Sequence, residues 1–218
     1  MNTLVDYIDK GANKTIVSFT GIMHKFDDIK NFKKEFILLS EQTNYNLMFV
    51  ADKERSWYND IDIKKITSKL KNQEVVSIGN SMGAYNAIQF ANDVNVTKAI
   101  AFAPQYSIHR DIVPNEKRWE KQAKKIKQWR YEHLMFNDTT EYYIVSGNTK
   151  HEMYHTNMIP HQRNIHKLIV DGDHTIAADL KSKGILYSLI TDLLTEPIEI
   201  VAKKYAKDIE YFGYKFGE

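Results

Sequence analysis

The chain has 218 residues, 43% of them hydrophobic, which suffices for one core of moderate size and predicts a single domain over 1–218. Lys and Arg number 30 against 28 Asp and Glu, so the formal charge of +2 offers no field of one sign to draw in nucleic acid or an acidic membrane. Cysteine is absent, which excludes disulfides, a thiol nucleophile and a thiolate metal site. No run reaches the roughly 18 apolar residues of a membrane helix, and the start, MNTLVDYIDKGANK, lacks the basic-then-apolar order of a secretory signal. The expectation is a soluble cytoplasmic protein with no nucleic-acid partner and no stable membrane insertion.

In chain order, the runs TIVSF (15–19), NLMFVA (46–51), EVVSIG (74–79), VTKAIAFA (96–103), EYYIVS (141–146) and HKLIV (166–170) have the length and β-branched or aromatic content of buried strands. Between them DIKNFKKEFILLSEQ (28–42), DIKKITSKLKN (62–72), SMGAYNAIQFAN (81–92) and IAADLKSKGILYSLITDLL (176–194) space apolar residues three and four apart, as helices do. Strand and helix alternate, which predicts an α/β fold with a mostly parallel sheet of about six strands flanked by helices. Segment 115–136 breaks the rhythm. Trp119, Ala123, Ile126 and Trp129 form an apolar stripe, and seven Lys/Arg between 117 and 130 lie largely on the other face. It is predicted as a helix inserted as a cap over a pocket. The aromatic end IEYFGYKFGE falls in a helical tail predicted over 196–218.

The chemistry concentrates in VVSIGNSMGAYNA (75–87). Gly79, Ser81 and Gly83 form G-x-S-x-G directly after an apolar strand and at the opening of a helix, the context of a nucleophile elbow. Side chains two residues either side of a serine on so sharp a turn would collide with strand and helix, and glycines remove the collision. The Met82 N–H, at the helix start, is placed to stabilise an oxyanion. An elbow requires a histidine beyond the last core strand and an acid between the two in sequence. His174 follows the strand at 166–170 and is the candidate general base; Glu152, after the strand at 141–146, is the candidate acid. Asp171 and Asp173 are too near His174 in sequence for side-by-side geometry, which leaves Asp111 as the other candidate. Trp57 and Tyr58, after the strand at 46–51, are candidate substrate-binding residues, with a core role as the plain alternative. His24 has no assigned role. No cofactor and no metal is needed by this set.

With strands, elbow and histidine in this order over residues 14–195, the sequence resembles the α/β-hydrolase superfamily. The resemblance implies a serine hydrolase working through an acyl-enzyme. It also implies a second oxyanion N–H from the loop after an early strand, where SFTGIMHKF (18–26) supplies Ile22. The family commonly has an Asp soon after the glycine of the acid loop, whereas GNTKHE (147–152) delays a Glu. The family's first two strands have no counterpart in this reading, which implies a minimal sheet. RSWYND (55–60), AFAPQ (101–105) and GDHTIAADLKSKGIL (172–186) further look like segments of small bacterial hydrolase-like proteins linked to surface polysaccharide and glycoprotein modification. That likeness implies a small-molecule or glycan ester as substrate, an O-acyl group on a sugar, met by hydrolysis or by transfer.

Two alternatives stand beside this. HEMYHTNMIPH (151–161) spaces His151, His155 and His161 as zinc ligands with Glu152 as the base. Against it, the matching metzincin turn needs a glycine where Met158 stands, and Pro160 keeps the helix short. The other alternative is a noncatalytic binding protein that docks a partner through the basic, Trp-rich 115–136. The oligomeric state is not set by the sequence.

Overall fold

The computed structural model describes residues 2–22, 32–70 and 74–212. Among the described residues, eight strands form one sheet: β1 (Thr3–Ile8), β2 (Lys14–Phe19), β3 (Asn46–Asp52), β4 (Glu74–Asn80), β5 (Val96–Phe102), β6 (Glu141–Gly147), β7 (Ile165–Val170) and β8 (Ile209–Phe212). Their order across the sheet is β1-β3-β2-β4-β5-β6-β7-β8. The six inner strands are parallel to one another and the two edges antiparallel to their neighbours. Those six are the six predicted from the sequence, each end within one residue, because strands covered on both faces read as continuous apolar runs.

The two edge strands are corrections. β1 precedes the first predicted strand and pairs with β3 in the register Val5↔Val50. It escapes notice because only Thr3 and Leu4 are buried, so it lacks an apolar run. Of the helical tail expected over 196–218, residues 213–218 lie outside the described residues; among the rest α8 (Ile198–Lys204) is helical, after which β8 pairs with β7 through Val170↔Ile209. An open β7 edge presents unpaired N–H and C=O groups, and pairing them outweighs the local preference of four residues.

The helices are short: α1 (Leu39–Gln42), α2 (Ile63–Thr67), α3 (Met82–Gln89) with a 3₁₀ turn after it, α4 (Glu120–Ala123), α5 (Lys150–Thr156), α6 (Ile176–Ser182), α7 (Leu186–Thr195) and α8. The pattern read over 176–194 is split by Gly184, whose φ of 74° ends α6 and starts a new direction. Of the pattern read over 28–42, residues 28–31 lie outside the described residues and only α1 is helical. Alternate strand residues feed two cores, one on each face. Ile16, Leu47, Phe49 and Ile100 pack under α6–α8, while Val17, Met48, Val50 and Ile144 pack under α3.

The cap helix expected over 115–136 is the third correction. Only α4 is helical; the rest is turns and irregular chain, of which residues 131–135 run alongside α3. The apolar stripe is real, since Ala123 is buried and Trp119, Ile126 and Trp129 pack on the core under α3. The backbone polar groups go elsewhere than to helix bonds. Tyr85 Oη donates to Tyr131 O (2.7 Å), Gln89 Nε2 to His133 O (2.6 Å) and Ser107 Oγ to Glu132 O, while Arg130 N donates to Asn59 Oδ1 (2.6 Å). The segment is a strap tied down by side chains from α3 and from the loops after β3 and β5. Among the described residues, no helix is long and apolar enough to cross a membrane.

Candidate active site

Between β4 and α3 the chain reverses at Ser81, which holds φ 54° and ψ −120°, a conformation that costs a side-chain-bearing residue of order 1–3 kcal/mol. Two backbone bonds fix it: Ser81 N donates to Phe102 O (2.8 Å) and Tyr85 N to Ser81 O (3.0 Å). The flanking glycines are required by contact. A Cβ on Gly79 would stand 2.2 Å from the Gly83 backbone, and one on Gly83 would stand 2.0 Å from Phe19 O. The turn therefore presses α3 against β2 and raises the hydroxyl above the sheet's C-terminal edge.

His174 Nε2 lies 2.8 Å from Ser81 Oγ, and its Nδ1 lies 3.1 Å from Glu152 Oε1. Two loops bring these residues together by backbone-to-backbone packing. A Cβ on Gly147 would meet Gly172 O at 2.4 Å, so only glycine lets the loop after β6 lie against the loop after β7. Asn148 N donates to Gly172 O (3.1 Å), Gly172 N to Asn148 Oδ1 (3.2 Å) and Thr149 Oγ1 to Asp173 Oδ1 (3.1 Å). The glutamate can come five residues after Gly147 because the first turn of α5 folds back toward His174.

Behind Glu152 is a charge network the sequence reading did not contain. Arg118, on the strap, donates NH1 to Glu152 Oε1 (2.8 Å) and grips Glu116 through Nε (3.0 Å) and NH2 (2.7 Å). Glu116 Oε2 in turn lies 2.8 Å from His155 Nε2. His155 Nδ1 accepts the Tyr106 N–H (3.2 Å), so its Nε2 carries the hydrogen donated to Glu116. Burial pushes the Glu152 carboxyl up, but the bonds from His174 and Arg118 outweigh it and hold it below the usual carboxylate range. Burial likewise raises Glu116, and His155 and Arg118 bring it down to about 2. Burial would lower the Arg118 guanidinium, yet its two carboxylates raise it. Both acids are thus held as carboxylates, with Glu152 against Nδ1 of the imidazole whose Nε2 faces the serine.

The two expected oxyanion donors lie on different segments, Met82 at the elbow and Ile22 in the loop after β2. Met82 is the first residue of α3, where N–H groups have no intrahelical partner. Ile22 follows Gly21, at which a Cβ would come within 2.9 Å of Asn80 O, so its loop touches the turn carrying Ser81. That loop is braced by Thr20 N donating to Val50 O (3.0 Å) and Gly21 N to Glu35 Oε2 (3.2 Å).

Other expectations are redirected. Trp57 and Tyr58 are 1% and 0% exposed and line no open surface. Tyr58 Oη shares its hydrogen between Thr20 O (2.8 Å) and Val50 O (3.1 Å), a brace on the loop of Ile22. Trp57 backs Trp119 (5.2 Å between ring centroids), and it is Trp119 that stands beside His174 (6.0 Å). Asp111 is exposed and its N–H donates to His109 Nδ1, away from His174. Asp171 and Asp173 accept from Asn148 and Thr149. His24 lies outside the described residues. The zinc spacing is dispersed: His155 and Glu152 are engaged as above, His151 is exposed, and His161 borders a separate cleft with His166 and Glu141. Among the described residues, no three His, Asp or Glu are grouped to hold a metal ion.

No family model and no curated protein matches this sequence. Solved structures match its fold. A capsule O-acetyltransferase of Neisseria meningitidis serogroup A superposes with a TM-score of 0.61 at 17% identity, over 87% of this chain and 91% of that one. A glycosylation associate protein complex of Streptococcus agalactiae gives 0.57 at 14% identity, over 85% of this chain and 43% of that one. An esterase of Pyrococcus furiosus gives 0.52 at 16% identity, over 92% and 86%. The chain has the α/β-hydrolase fold.

Proposed function

We propose that this protein is a serine acyl-transfer enzyme that removes or transfers a small acyl group on a hydroxyl-bearing substrate, a glycan O-acyl ester being the favoured class. The reading is carried by one observation, the unbroken chain Ser81 Oγ–His174 Nε2 and His174 Nδ1–Glu152 Oε1 at 2.8 and 3.1 Å. His174 takes the Ser81 proton as Oγ attacks the ester carbonyl, and the N–H groups of Met82 and Ile22 receive the oxyanion. The proton then passes from His174 to the departing alcohol, leaving an acyl-Ser81. Water or a second alcohol attacks that ester, gives its proton to His174, and Ser81 Oγ recovers it as the bond to the acyl carbon breaks. Glu152, kept ionised by Arg118, stabilises the imidazolium at both stages. The fold shared with a capsule O-acetyltransferase and an esterase supports acyl chemistry on this scaffold.

A fluorophosphonate probe tests the step common to hydrolysis and transfer. Wild type is expected to label at one site and Ser81→Ala not at all; labelling that survives the substitution overturns the assignment.

A further inference from the structure

The near-balanced charge of the whole chain conceals an uneven distribution. Of its 30 Lys/Arg and 28 Asp/Glu, residues 110–130 hold eight and three, which leaves 22 against 25 for the rest of the chain. A surplus of five positive charges therefore lies on the strap, while the remainder is net acidic. Two of the strap's acids are already engaged, Glu116 by Arg118 and His155, and Glu120 by Lys124 (2.9 Å). Arg118 and Arg130 are paired with Glu152 and Asp93. Lys117, Lys121, Lys125 and Lys127 are exposed, and none has an acidic partner among the described residues. Like charges gathered in one segment repel one another, so the stability of the fold does not ask for them. Their place is at the entrance to the candidate site. Of its side chains His174 is the one that reaches solvent, at 23% exposure against 2% for Glu152. Trp119 stands beside that imidazole (6.0 Å). Lys117 and Lys121 are each two residues from Trp119, so their Cα atoms lie within about 7 Å of its own. On the loop of His174 itself, Asp171 and Asp173 are exposed, which makes the entrance basic on the strap and acidic on the loop.

We propose that Lys117, Lys121, Lys125 and Lys127 dock an acidic polysaccharide, one that carries carboxylate or phosphodiester groups along its chain, and so hold its hydroxyls or their esters at His174. This rests on the acyl-transfer reading above and names its substrate class. The four lysines are spread along eleven residues, which suits repeated single charges better than one compact ion. Each ammonium meets an anion as a point charge on a flexible stem, without the fixed fork of an arginine. A bilayer fits less well, because Trp119, Ile126 and Trp129 pack on the core and leave the strap no apolar face to insert. The same inward turn of the tryptophans removes the aromatic platforms on which nucleic-acid bases stack. An exposed contact between lysine and an anion is weak singly, and four together amount to roughly 10-fold or more in affinity at moderate salt. Charge thus sets the direction of approach, with the anionic groups on the strap and away from Asp171 and Asp173.

The test follows inhibition of 4-nitrophenyl acetate turnover by polygalacturonate, by neutral dextran and by single-stranded DNA. Polygalacturonate is expected to inhibit wild type at concentrations about 10-fold or more below dextran, and to lose that advantage in about 1 M salt, where the screening length is about 3 Å. The variant Lys117→Glu/Lys121→Glu/Lys125→Glu/Lys127→Glu should raise its inhibition constant about 10-fold or more. A control, Lys64→Glu/Lys69→Glu/Lys183→Glu/Lys203→Glu, makes the same change in net charge at exposed positions elsewhere and should stay within about twofold of wild type at physiological salt. Inhibition by dextran equal to that by polygalacturonate overturns the proposal, as does a strap variant inhibited like wild type or a control that loses as much as the strap variant. Inhibition by DNA stronger than by polygalacturonate at equal charge marks a nucleic-acid surface and overturns it too. A wild type that does not turn over 4-nitrophenyl acetate is a different failure, that of the acyl-enzyme. Fluorescence anisotropy of labelled polygalacturonate then reads the docking surface with the same variants and the same expected ratios.

Discussion

The elbow and the acid side of the candidate site are built by opposite means. At Ser81 the strained turn, its two glycines and the start of a helix lie within five residues, with Phe102 O and Phe19 O as the backbone they close against. At Glu152 the orienting contacts come from residues 22 and 34 positions away, His174 and Arg118, and the latter is itself held by Glu116 and His155. A backbone requirement is written locally because sterics act between neighbours in sequence. A charge network is written at a distance, because it needs only that opposite charges meet in a dry place.

Substitutions at the two regions should therefore fail differently. The largest effect is expected on catalysis at the elbow: Ser81→Ala and His174→Ala each lower kcat about 10,000-fold or more, and the double variant is no worse than either, as steady-state kinetics on a chromogenic ester will show. Next, Gly83→Ala places a methyl group 2.0 Å from Phe19 O and is expected to destabilise the fold by about 3 kcal/mol or more, read as a lowered denaturation midpoint.

On the acid side, Arg118→Met strands two buried carboxylates and is expected to destabilise by about 3–5 kcal/mol, with activity falling as Glu152 loses its fixed position. Arg118→Lys restores charge without the two-pronged grip and should recover only part of the loss. Glu116 sharpens the contrast through pH. Its carboxyl is held at about 2 against an ordinary 4.5, so the stability it contributes is complete above about pH 4.5 and is lost as pH falls toward 2. Urea midpoints measured from pH 7 to 3 should fall more steeply for wild type than for Glu116→Gln. The smallest effect belongs to Asp111→Ala, an exposed residue outside both regions, expected to change stability by less than about 0.5 kcal/mol and kcat by less than about twofold.

What was legible follows the same division. Six inner strands, the elbow, His174 and Glu152 could be read because each depends on an apolar run or on chain order. Arg118 could not be told from the other six Lys and Arg between 117 and 130, since nothing local marks which one turns inward. His155 was visible but suggested zinc, whereas its partner Glu116 sits 39 residues earlier on the strap. The strap's period-three-to-four stripe indicated a helix, yet the stripe only recorded which side chains are buried. Its carbonyls found Tyr85, Gln89 and Ser107 first.

By itself, then, the sequence determined where the sheet runs and where the serine turns, because burial on both faces and a glycine-flanked bend leave marks on neighbouring residues. Only the tertiary structure decided the edges of the sheet, the course of the strap and the partners of Glu152. In each case the deciding term is a hydrogen bond or ion pair between groups far apart in the chain, whose strength depends on how dry and how close the fold makes them.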